Sequence, residues 1–327
     1  MIMAELRFNP LTRDWVMIAS HRQARPNMPK DWCPFCPGSG KVPDDFTVLK
    51  YDNDFPALRQ DPPVPDDVAG GVYKTAPAYG KCEVILYSKN HTETVPELSD
   101  AHVNTLVNLW CERFDALRKD EKIKYIFIFE NRGELVGVSM PHPHGQIYGY
   151  SYLPKKLALE SESFRLHRNE TGNCLFCDML EEEARFQKRI IFENEAFTVF
   201  LPFFSEYPYG LYIAAKRCAK YITDFDEKER FLLGQAIKRA AGTLDSLFDY
   251  PFPYMMCMHN APVNSDAASD FHFHIEFFPP MRSRDKQKFN ASSETGAWAH
   301  CNPTAPEERA EELRAAYEKF MAKEANK

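Results

Sequence analysis

The chain has 327 residues and a formal net charge of −7, with 44% hydrophobic and 27% charged residues. This composition is typical of one large folded domain or two of ordinary size, and no apolar run approaches the roughly 20 residues of a membrane span. A negative charge without a basic stripe argues against nucleic acid as a partner, but it permits a phosphorylated small molecule.

The N-terminal residues and the cysteines indicate the cell compartment. The opening stretch MIMAELRFNPLTRDW lacks the apolar core of a signal peptide, so we expect a cytoplasmic protein with no membrane partner. The nine cysteines are then expected to be reduced, and an ordered spacing among them indicates metal binding or redox chemistry.

The first half of the chain carries a series of signals in a fixed order. It begins with CPFC at Cys33 and Cys36 and continues through YDNDF and the apolar run EVILYS to His91. An amphipathic helix is predicted to begin at ELSD, and the strand KYIFIFE (124–130), the turn NRG and the segment PHPHG follow it.

The second half presents the same signals in the same order. CLFC at Cys174 and Cys177 is followed by FENEAF, by GLYIAAKRC ending at Cys218, and by a predicted helix from about 226 to 248. The strand YMMCMH and the segment FHFHIEFFPP close the series. This order predicts a duplicated domain.

Each half is predicted to pair its last strands antiparallel, because the connections between them are too short for helical crossovers. We therefore expect an α+β fold in which antiparallel sheets carry packed helices. The predicted halves are residues 1–160 and 161–327, and the second ends in the charged helix APEERAEELRAAYEKFMAKE.

Two sets of four side chains occupy matching places in the repeat and are the predicted metal ligands. They are Cys33, Cys36, His91 and His142 in the first half, and Cys174, Cys177, Cys218 and His272 in the second. Four thiolate and imidazole groups suit tetrahedral zinc, and a closed set of four is structural. One alternative is a glutaredoxin-like redox pair for WCPFC, which the helix-breaking PGSGKVPDD disfavours. The others are an ordinary buried thiol for Cys218 and a partly exposed strand residue for His272.

The segment GVSMPHPHGQIYGY contains the predicted reactive group. In an extended strand His142 and His144 point to the same side, so one can hold a metal while the other faces a substrate. Pro143 favours a strand end, Gly145 permits close backbone approach, and Gln146 can offer its amide to a phosphate oxygen. Neutral imidazole is a competent nucleophile toward phosphorus, which predicts His144 as the attacking group.

The stretch NRGELVGVSMPHPHGQIYGY closely resembles the active-site segment of galactose-1-phosphate uridylyltransferases, a branch of the histidine triad superfamily. RFNPLTRDWVMIASHRQARP, DWCPFCPGS, YDNDFPAL, NHTETVPELSD and HIEFFPPMR extend the resemblance over nearly the whole chain. The resemblance implies a duplicated histidine-triad-like domain. It also implies a double displacement, in which His144 takes UMP from UDP-glucose and passes it to galactose-1-phosphate.

The same resemblance implies roles for further residues. Gln146 and Ser139 would hold phosphate oxygens, and Arg22 and Arg25 would lie near the diphosphate. The implied uridine and ribose contacts are Asn53, Asp54, Phe129, Asn131 and Gly137. Lys288, Phe289 and Glu294 match the hexose-binding stretch, which relatives place in the neighbouring subunit, so a homodimer is implied.

Two departures from the family pattern concern a second metal and the sugar. Some relatives carry iron at positions that match Glu160, His259, His274 and Glu276, the last being histidine in those relatives. A carboxylate can also bind metal, so this iron site stays an open alternative, while zinc is expected at the cysteine set of the second half, and either metal would be structural. The stretch KFNASSETGAW has Ser293 where many relatives have tyrosine, so the acceptor sugar stays open. The alternative function is a related nucleotidyltransferase or a sugar-nucleotide phosphorylase that uses another nucleotide or sugar. A histidine triad hydrolase and a zinc-stabilised binding module are the alternative classes.

Overall fold

The computed structural model describes residues 4–20, 22, 32–138, 140–265 and 270–326. The strands in chain order are β1 (Glu5–Asn9), β2 (Asp14–Ile18), β3 (Leu49–Asp52), β4 (Thr75–Pro77), β5 (Gly80–Leu86), β6 (Tyr125–Arg132), β7 (His144–Tyr150), β8 (Ile190–Glu193), β9 (Phe197–Phe200), β10 (Tyr212–Ala215), β11 (Tyr254–His259), β12 (His274–Phe278), β13 (Met281–Ser283) and β14 (Lys286–Gln287). The α-helices are α1 (Asp100–Leu117), α2 (Lys155–Thr171), α3 (Leu175–Phe186), α4 (Glu227–Phe248), α5 (Ser292–Ala297) and α6 (Pro306–Glu324).

One large antiparallel sheet forms the centre of the molecule. Among the described residues its strand order is β3-β5-β7-β6-β11-β12-β10-β9-β8, and a smaller sheet, β2-β1-β4, lies beside it. The predicted α+β fold with antiparallel sheets and packed helices is therefore confirmed.

The order of strands shows the duplication directly. From the centre outwards the first half reads β6, β7, β5, β3, and the second half reads β11, β12, β10, β9. Each half also has one long helix at the same place in the chain. It is α1 after β5 in the first half and α4 after β10 in the second. The halves meet where β6 pairs with β11, from Tyr254 opposite Arg132 to Met258 opposite Ile128.

The two long helices cover one face of the sheet, and their ends follow the sequence signals. Ser99 caps α1 by accepting a hydrogen bond from the backbone N–H of His102 at 3.2 Å, and Asp226 caps α4 through the N–H of Glu229 at 2.8 Å. Both helices turn apolar residues such as Trp110 and Leu233 into one core that spans the two halves. Because the helices and the strands beneath them share this core, their packing holds both in position.

The opposite face of the sheet carries the functional groups. There α2 and α3 pack over the strands of the second half, while the small sheet and loops cover those of the first half. The predicted division at residue 160 falls inside α2, and it stays a prediction. None of the helices in the described part of the chain has the length and apolar character of a membrane span.

Candidate active site

His144 begins β7 and lies opposite Leu86 of β5. Because side chains alternate along a strand, His144, Gln146 and Tyr148 face the same side, away from the long helices. These three side chains line a cavity of about 350 Å³. Pro143 stands just before the strand, as the sequence predicts for a proline that donates no ladder hydrogen bond.

The cavity gathers most of the side chains that the sequence predicts for it. The predicted residues that line it are Arg22, Asn53, Asp54, Phe129, Asn131, Gly137, His144 and Gln146. Two other predicted residues, Arg25 and Ser139, lie outside the described residues. Phe35, Tyr51, Met140 and Tyr148 also line the cavity and were not predicted. The two-residue period of β7 could have identified Tyr148, and the motifs CPFC and YDNDF contain Phe35 and Tyr51.

The tautomer of His144 is set by the backbone. Its Nδ1 lies 2.7 Å from the carbonyl oxygen of His142. A carbonyl oxygen only accepts, so Nδ1 carries the proton and Nε2 keeps the lone pair. The ring packs against Phe35, with 5.8 Å between the ring centroids. The arrangement therefore holds a half-buried imidazole whose Nε2 can act as a nucleophile.

Gln146 is oriented by its neighbour on the strand. The Tyr148 hydroxyl donates to the Gln146 Oε1 at 3.1 Å, which leaves the amide NH₂ group to act as a donor. Burial raises the pKa of Tyr148 to about 12, so its hydroxyl keeps the proton that this bond requires. The positive charge of Arg22 lies beside Tyr148. An amide donor and a guanidinium together suit an anionic phosphate group.

The far wall of the cavity carries a carboxylate. The Tyr51 hydroxyl donates to Asp54 at 3.0 Å, and burial together with that carboxylate raises the pKa of Tyr51 to about 12. Asn53 accepts from the backbone N–H of Phe55 at 2.9 Å, which fixes the turn that presents Asp54. Carboxylates and amides of this kind can bind sugar hydroxyls and base edges.

The first predicted metal set is assembled beside the cavity. The ligand atoms of Cys33, Cys36, His91 and His142 lie within 4.8 Å of one another. His91 Nδ1 is 3.3 Å from Cys36 Sγ, and His142 Nδ1 is 3.6 Å from the same atom. These separations fit the roughly 3.6 Å edge of a zinc tetrahedron. His142 Nε2 donates to the Ser88 carbonyl at 2.8 Å, and burial lowers the pKa of His142 to about 4, so the ring is neutral, as a ligand must be.

The second predicted metal set repeats the first. Cys174, Cys177, Cys218 and His272 also present their ligand atoms within 4.8 Å of one another. His272 Nδ1 is 3.4 Å from Cys174 Sγ, and its Nε2 donates to the Ala215 carbonyl at 2.9 Å. Burial opposes ionisation of Cys174, but the hydrogen bonds with His272 and its neighbours lower its pKa to about 6. Both sets fit a tetrahedral metal such as zinc.

A third cluster consists of side chains that contact one another directly. Its members are Glu160, His259, His274 and Glu276. His259 Nδ1 is 2.8 Å from Glu160 Oε2 and its Nε2 is 3.6 Å from Glu276, so one imidazole bridges the two carboxylates. Lys156 forms an ion pair with Glu276 and lies 3.9 Å from Glu160. Lys156 was not predicted, although it lies one helical turn before Glu160. The cluster offers four ligands, but it is held together by internal charges.

The predicted hexose-binding residues lie apart from this cavity. Lys288 Nζ is 3.6 Å from Glu294 and 5.3 Å from the centre of the Tyr207 ring, and Phe289 is 71% exposed. None of the three lines the His144 cavity among the described residues. Their predicted role in a neighbouring subunit stays a prediction.

Family models of galactose-1-phosphate uridyl transferase match both halves of the chain. The N-terminal domain model matches residues 1–154, and the C-terminal domain model matches residues 160–323. The galactose-1-phosphate uridylyltransferase of Thermotoga maritima is 40% identical over 314 residues, covering 95% of this chain and 98% of the relative. That of Haemophilus influenzae is 30% identical, covering 94% and 93%.

Solved structures give the same result. A chain described as a uridylyltransferase superposes with a TM-score of 0.89 at 29% identity and covers 96% of this chain and 99% of its own. An ADP-glucose phosphorylase from Arabidopsis thaliana with bound ADP-glucose shares the fold, with a TM-score of 0.73 at 23% identity over 95% of this chain and 98% of its own. The chain therefore belongs to the galactose-1-phosphate uridylyltransferase family and is a nucleotidyltransferase that transfers uridylyl groups.

Proposed function

We propose that the protein exchanges UMP between UDP-glucose and galactose-1-phosphate through a covalent uridylyl-histidine at His144. In the first step Nε2 of His144 attacks the α-phosphorus of UDP-glucose, and the bond from that phosphorus to the bridging oxygen breaks, releasing glucose-1-phosphate. In the second step a phosphate oxygen of galactose-1-phosphate attacks the same phosphorus. The bond to Nε2 then breaks, and UDP-galactose leaves.

The observation that carries this proposal is the bond from His144 Nδ1 to the His142 carbonyl. The ring keeps its Nδ1 proton throughout, so attack through Nε2 produces a cationic adduct. The carbonyl oxygen accepting from Nδ1 stabilises that cation and prevents the ring from turning. The reactive nitrogen is therefore prepared before substrate arrives, which lowers the cost of reaching the transition state.

Other cavity residues are proposed to bind the two halves of the nucleotide. The Gln146 amide and Arg22 stabilise charge on the α-phosphoryl oxygens, with Arg25 and Ser139 assigned to the same region through the family resemblance. The residues proposed to contact uridine and ribose are Asn53, Asp54, Phe129, Asn131 and Gly137. Lys288, Phe289 and Glu294 of the neighbouring subunit are proposed to bind the hexose, which requires a homodimer.

Both cysteine-containing sets are proposed to bind Zn²⁺ in a cytoplasmic enzyme, with iron as the alternative in the second half. A structural zinc ion supplies rigidity there and takes no part in bond making. In the first half that rigidity reaches His144, because His142 is both a member of the set and the residue whose carbonyl holds the nucleophile.

The adduct itself is the most direct test. Enzyme incubated with UDP-glucose alone should gain the mass of one uridylyl group and release one equivalent of glucose-1-phosphate. Peptide mapping should place the group on His144 and leave the His274 peptide unlabelled, which provides a control within the same molecule. His144→Ala should form no adduct and lose at least about 1,000-fold in turnover, while His167→Ala, which removes a half-buried imidazole of α2 that bonds to Asp178, should keep wild-type turnover. A wild-type enzyme that turns over without any adduct would contradict the mechanism.

A substrate panel tests the nucleotide and the sugar. The same incubation with ADP-glucose should give no adduct if the cavity selects uridine, and hexose-1-phosphates other than galactose-1-phosphate should resolve the adduct more slowly. Steady release of UMP to water without an acceptor would instead indicate a hydrolase. Equal labelling by both nucleotides would indicate a broader nucleotidyltransferase.

A further inference from the structure

A polar group lies directly behind the strand that carries His144. Gly145 separates His144 from Gln146 and faces the helix-covered side of the sheet. A Cβ atom at position 145 would overlap the hydroxyl of Tyr87 and lie 2.9 Å from its Cζ. The Tyr87 ring is only 1% exposed, and its backbone N–H donates to the Pro143 carbonyl at 3.0 Å. Tyr87 therefore supports the catalytic strand from behind, through both its backbone and its side chain.

The carboxyl group of Glu130 lies in the same layer as Tyr87, on the helix-covered side of the sheet. Glu130 stands on β6 between Phe129 and Asn131, which both line the cavity, and its own side chain is buried on the other face. The Tyr254 hydroxyl donates to Glu130 Oε1 at 3.2 Å. Tyr87 and Glu130 lie close enough to affect each other's pKa, yet Tyr87 Oη and Glu130 Oε2 have no hydrogen bond of ordinary length and angle within the described structure.

The repeat provides an internal comparison for this layer. By strand register the counterparts of Gly145, Tyr87 and Glu130 in the second half are Ile275, Ala215 and Met258. All three counterparts are apolar and fully buried.

In the second half the Ile275 side chain therefore takes the place behind the strand. In the first half glycine leaves that place to a hydroxyl and a carboxyl. Burying a carboxyl with an unpartnered oxygen costs stability, and at these matched positions of the described structure the half with the open cavity does so while the other half has apolar side chains.

We propose that Tyr87 and Glu130 are positioning residues for uridylyl transfer, with Tyr87 holding the His144 strand in place and ionised Glu130 stabilising the cationic histidine adduct. This inference rests on the proposed function. The ring that bonds to phosphorus gains a positive charge, and a carboxylate behind the same strand favours that charge across a medium of low dielectric constant.

Several charged and titratable groups face Glu130. They are Arg132 on its own strand, Tyr254 on β11, Tyr87 after β5, and Asp245 on α4, which is paired with Arg132 at 2.9 Å. Burial outweighs the favourable effects of Arg132 and the two hydroxyls and raises the pKa of Glu130 to about 7. Glu130 is therefore protonated below neutral pH and ionised above it, and its effect on the adduct should appear as pH rises.

Single-turnover formation of the uridylyl adduct at pH 6 and pH 8 tests the proposal. Glu130→Gln keeps the shape and removes the charge. We expect about a tenfold slower reaction at pH 8, less than a twofold change at pH 6, and unchanged affinity for UDP-glucose. Tyr87→Phe should slow the reaction about fivefold at both pH values, again with unchanged affinity.

The matched control is Tyr125→Phe, which removes another buried hydroxyl from the same strand as Glu130. It should leave the rate unchanged. Equal slowing of Glu130→Gln at both pH values, no slowing at all, or equal slowing in Tyr125→Phe and Tyr87→Phe would each overturn the assignment. Absence of any adduct on wild-type His144 would refute the proposed function first, and this inference with it.

Discussion

The two halves of the molecule carry the same histidine pair in the same backbone setting, but they expose it differently. His144 Nδ1 bonds to the His142 carbonyl at 2.7 Å, and His274 Nδ1 bonds to the His272 carbonyl at 2.9 Å. His144 lines an open cavity, whereas His274 is 2% exposed and packs against Phe176 with 4.7 Å between ring centroids. Both halves therefore hold the second histidine of the pair in the same tautomer. Only His144 of the two lines the cavity described above.

The residue two positions after each histidine sharpens this difference. Gln146 faces the cavity with a neutral amide, while Glu276 is buried and paired with Lys156 and His259. One copy of the duplicated strand thus offers a donor to an anion, and the other copy neutralises its own carboxylate. The comparison teaches that a repeat can conserve a scaffold and a ring orientation while its chemistry depends on one neighbouring side chain.

The largest effect is expected from making the first half resemble the second at that position. Gln146→Glu should lower turnover at least about 100-fold, because it removes a donor to the phosphoryl oxygens and places a negative charge beside them. Steady-state kinetics with UDP-glucose and galactose-1-phosphate measures the loss. Gln187→Glu, the same change on the exposed end of α3, is the control, and similar kinetics for the two variants would contradict the assignment of Gln146.

The two predicted metal sets should differ in their effect on turnover. Cys33→Ser and Cys174→Ser should each lower the metal content by one ion per chain, measured by elemental analysis of purified protein. Only Cys33→Ser should also lower turnover, by about 10- to 100-fold, because only the first set includes the residue that holds His144. Equal losses of activity would show that both sets support the fold alone.

The smallest effect concerns the charges of the third cluster. Lys156→Met should lower the free energy of unfolding by about 1 kcal/mol at pH 7, since the lysine is half-exposed, and should leave turnover within about twofold. Urea unfolding monitored by tryptophan fluorescence measures the change. Lys155→Met on the same helix is the control.

Glu276 determines how the stabilising effect of Lys156 changes with pH. Burial opposes its ionisation, but His259 and Lys156 hold its pKa well below the ordinary value of 4.5. The ionised carboxylate therefore stabilises the fold above pH 4.5, and this contribution is lost as pH falls through the lowered pKa. The destabilisation by Lys156→Met should accordingly shrink as pH falls from 7 toward this lowered pKa, well below 4.5, and a destabilisation that grows over the same range would contradict this account.

Much of the fold is readable in the sequence because its signals are local. The caps Ser99 and Asp226 and the apolar spacing after them predict the two long helices, and the repeated motif order predicts the duplication. The joining of both halves into one continuous sheet is not local. It depends on the pairing of β6 with β11, which more than a hundred intervening residues separate, and no pattern within either strand specifies its partner.

The residues of the candidate site also differ in whether local sequence signals predict them. Spacing and motif order predicted two sets of side chains that the structure brings together, Cys33, Cys36, His91 and His142 in one half and Cys174, Cys177, Cys218 and His272 in the other. Contacts between distant segments were missed, such as Phe35 against His144 and Lys156 against Glu276. Burial also changes the meaning of a motif, since HPH and HFH read alike in sequence and only packing shows that His274 is buried.

The seam between β6 and β11 has a consequence for how molecules enter and leave. Separating the two halves would break the main-chain hydrogen bonds of this pairing within a buried core and leave their donors and acceptors without partners, which is energetically costly. Opening and closing around the cavity is therefore expected in the connecting segments at its rim, such as the stretch from Gly133 to Gly137, and not in the sheet beneath it.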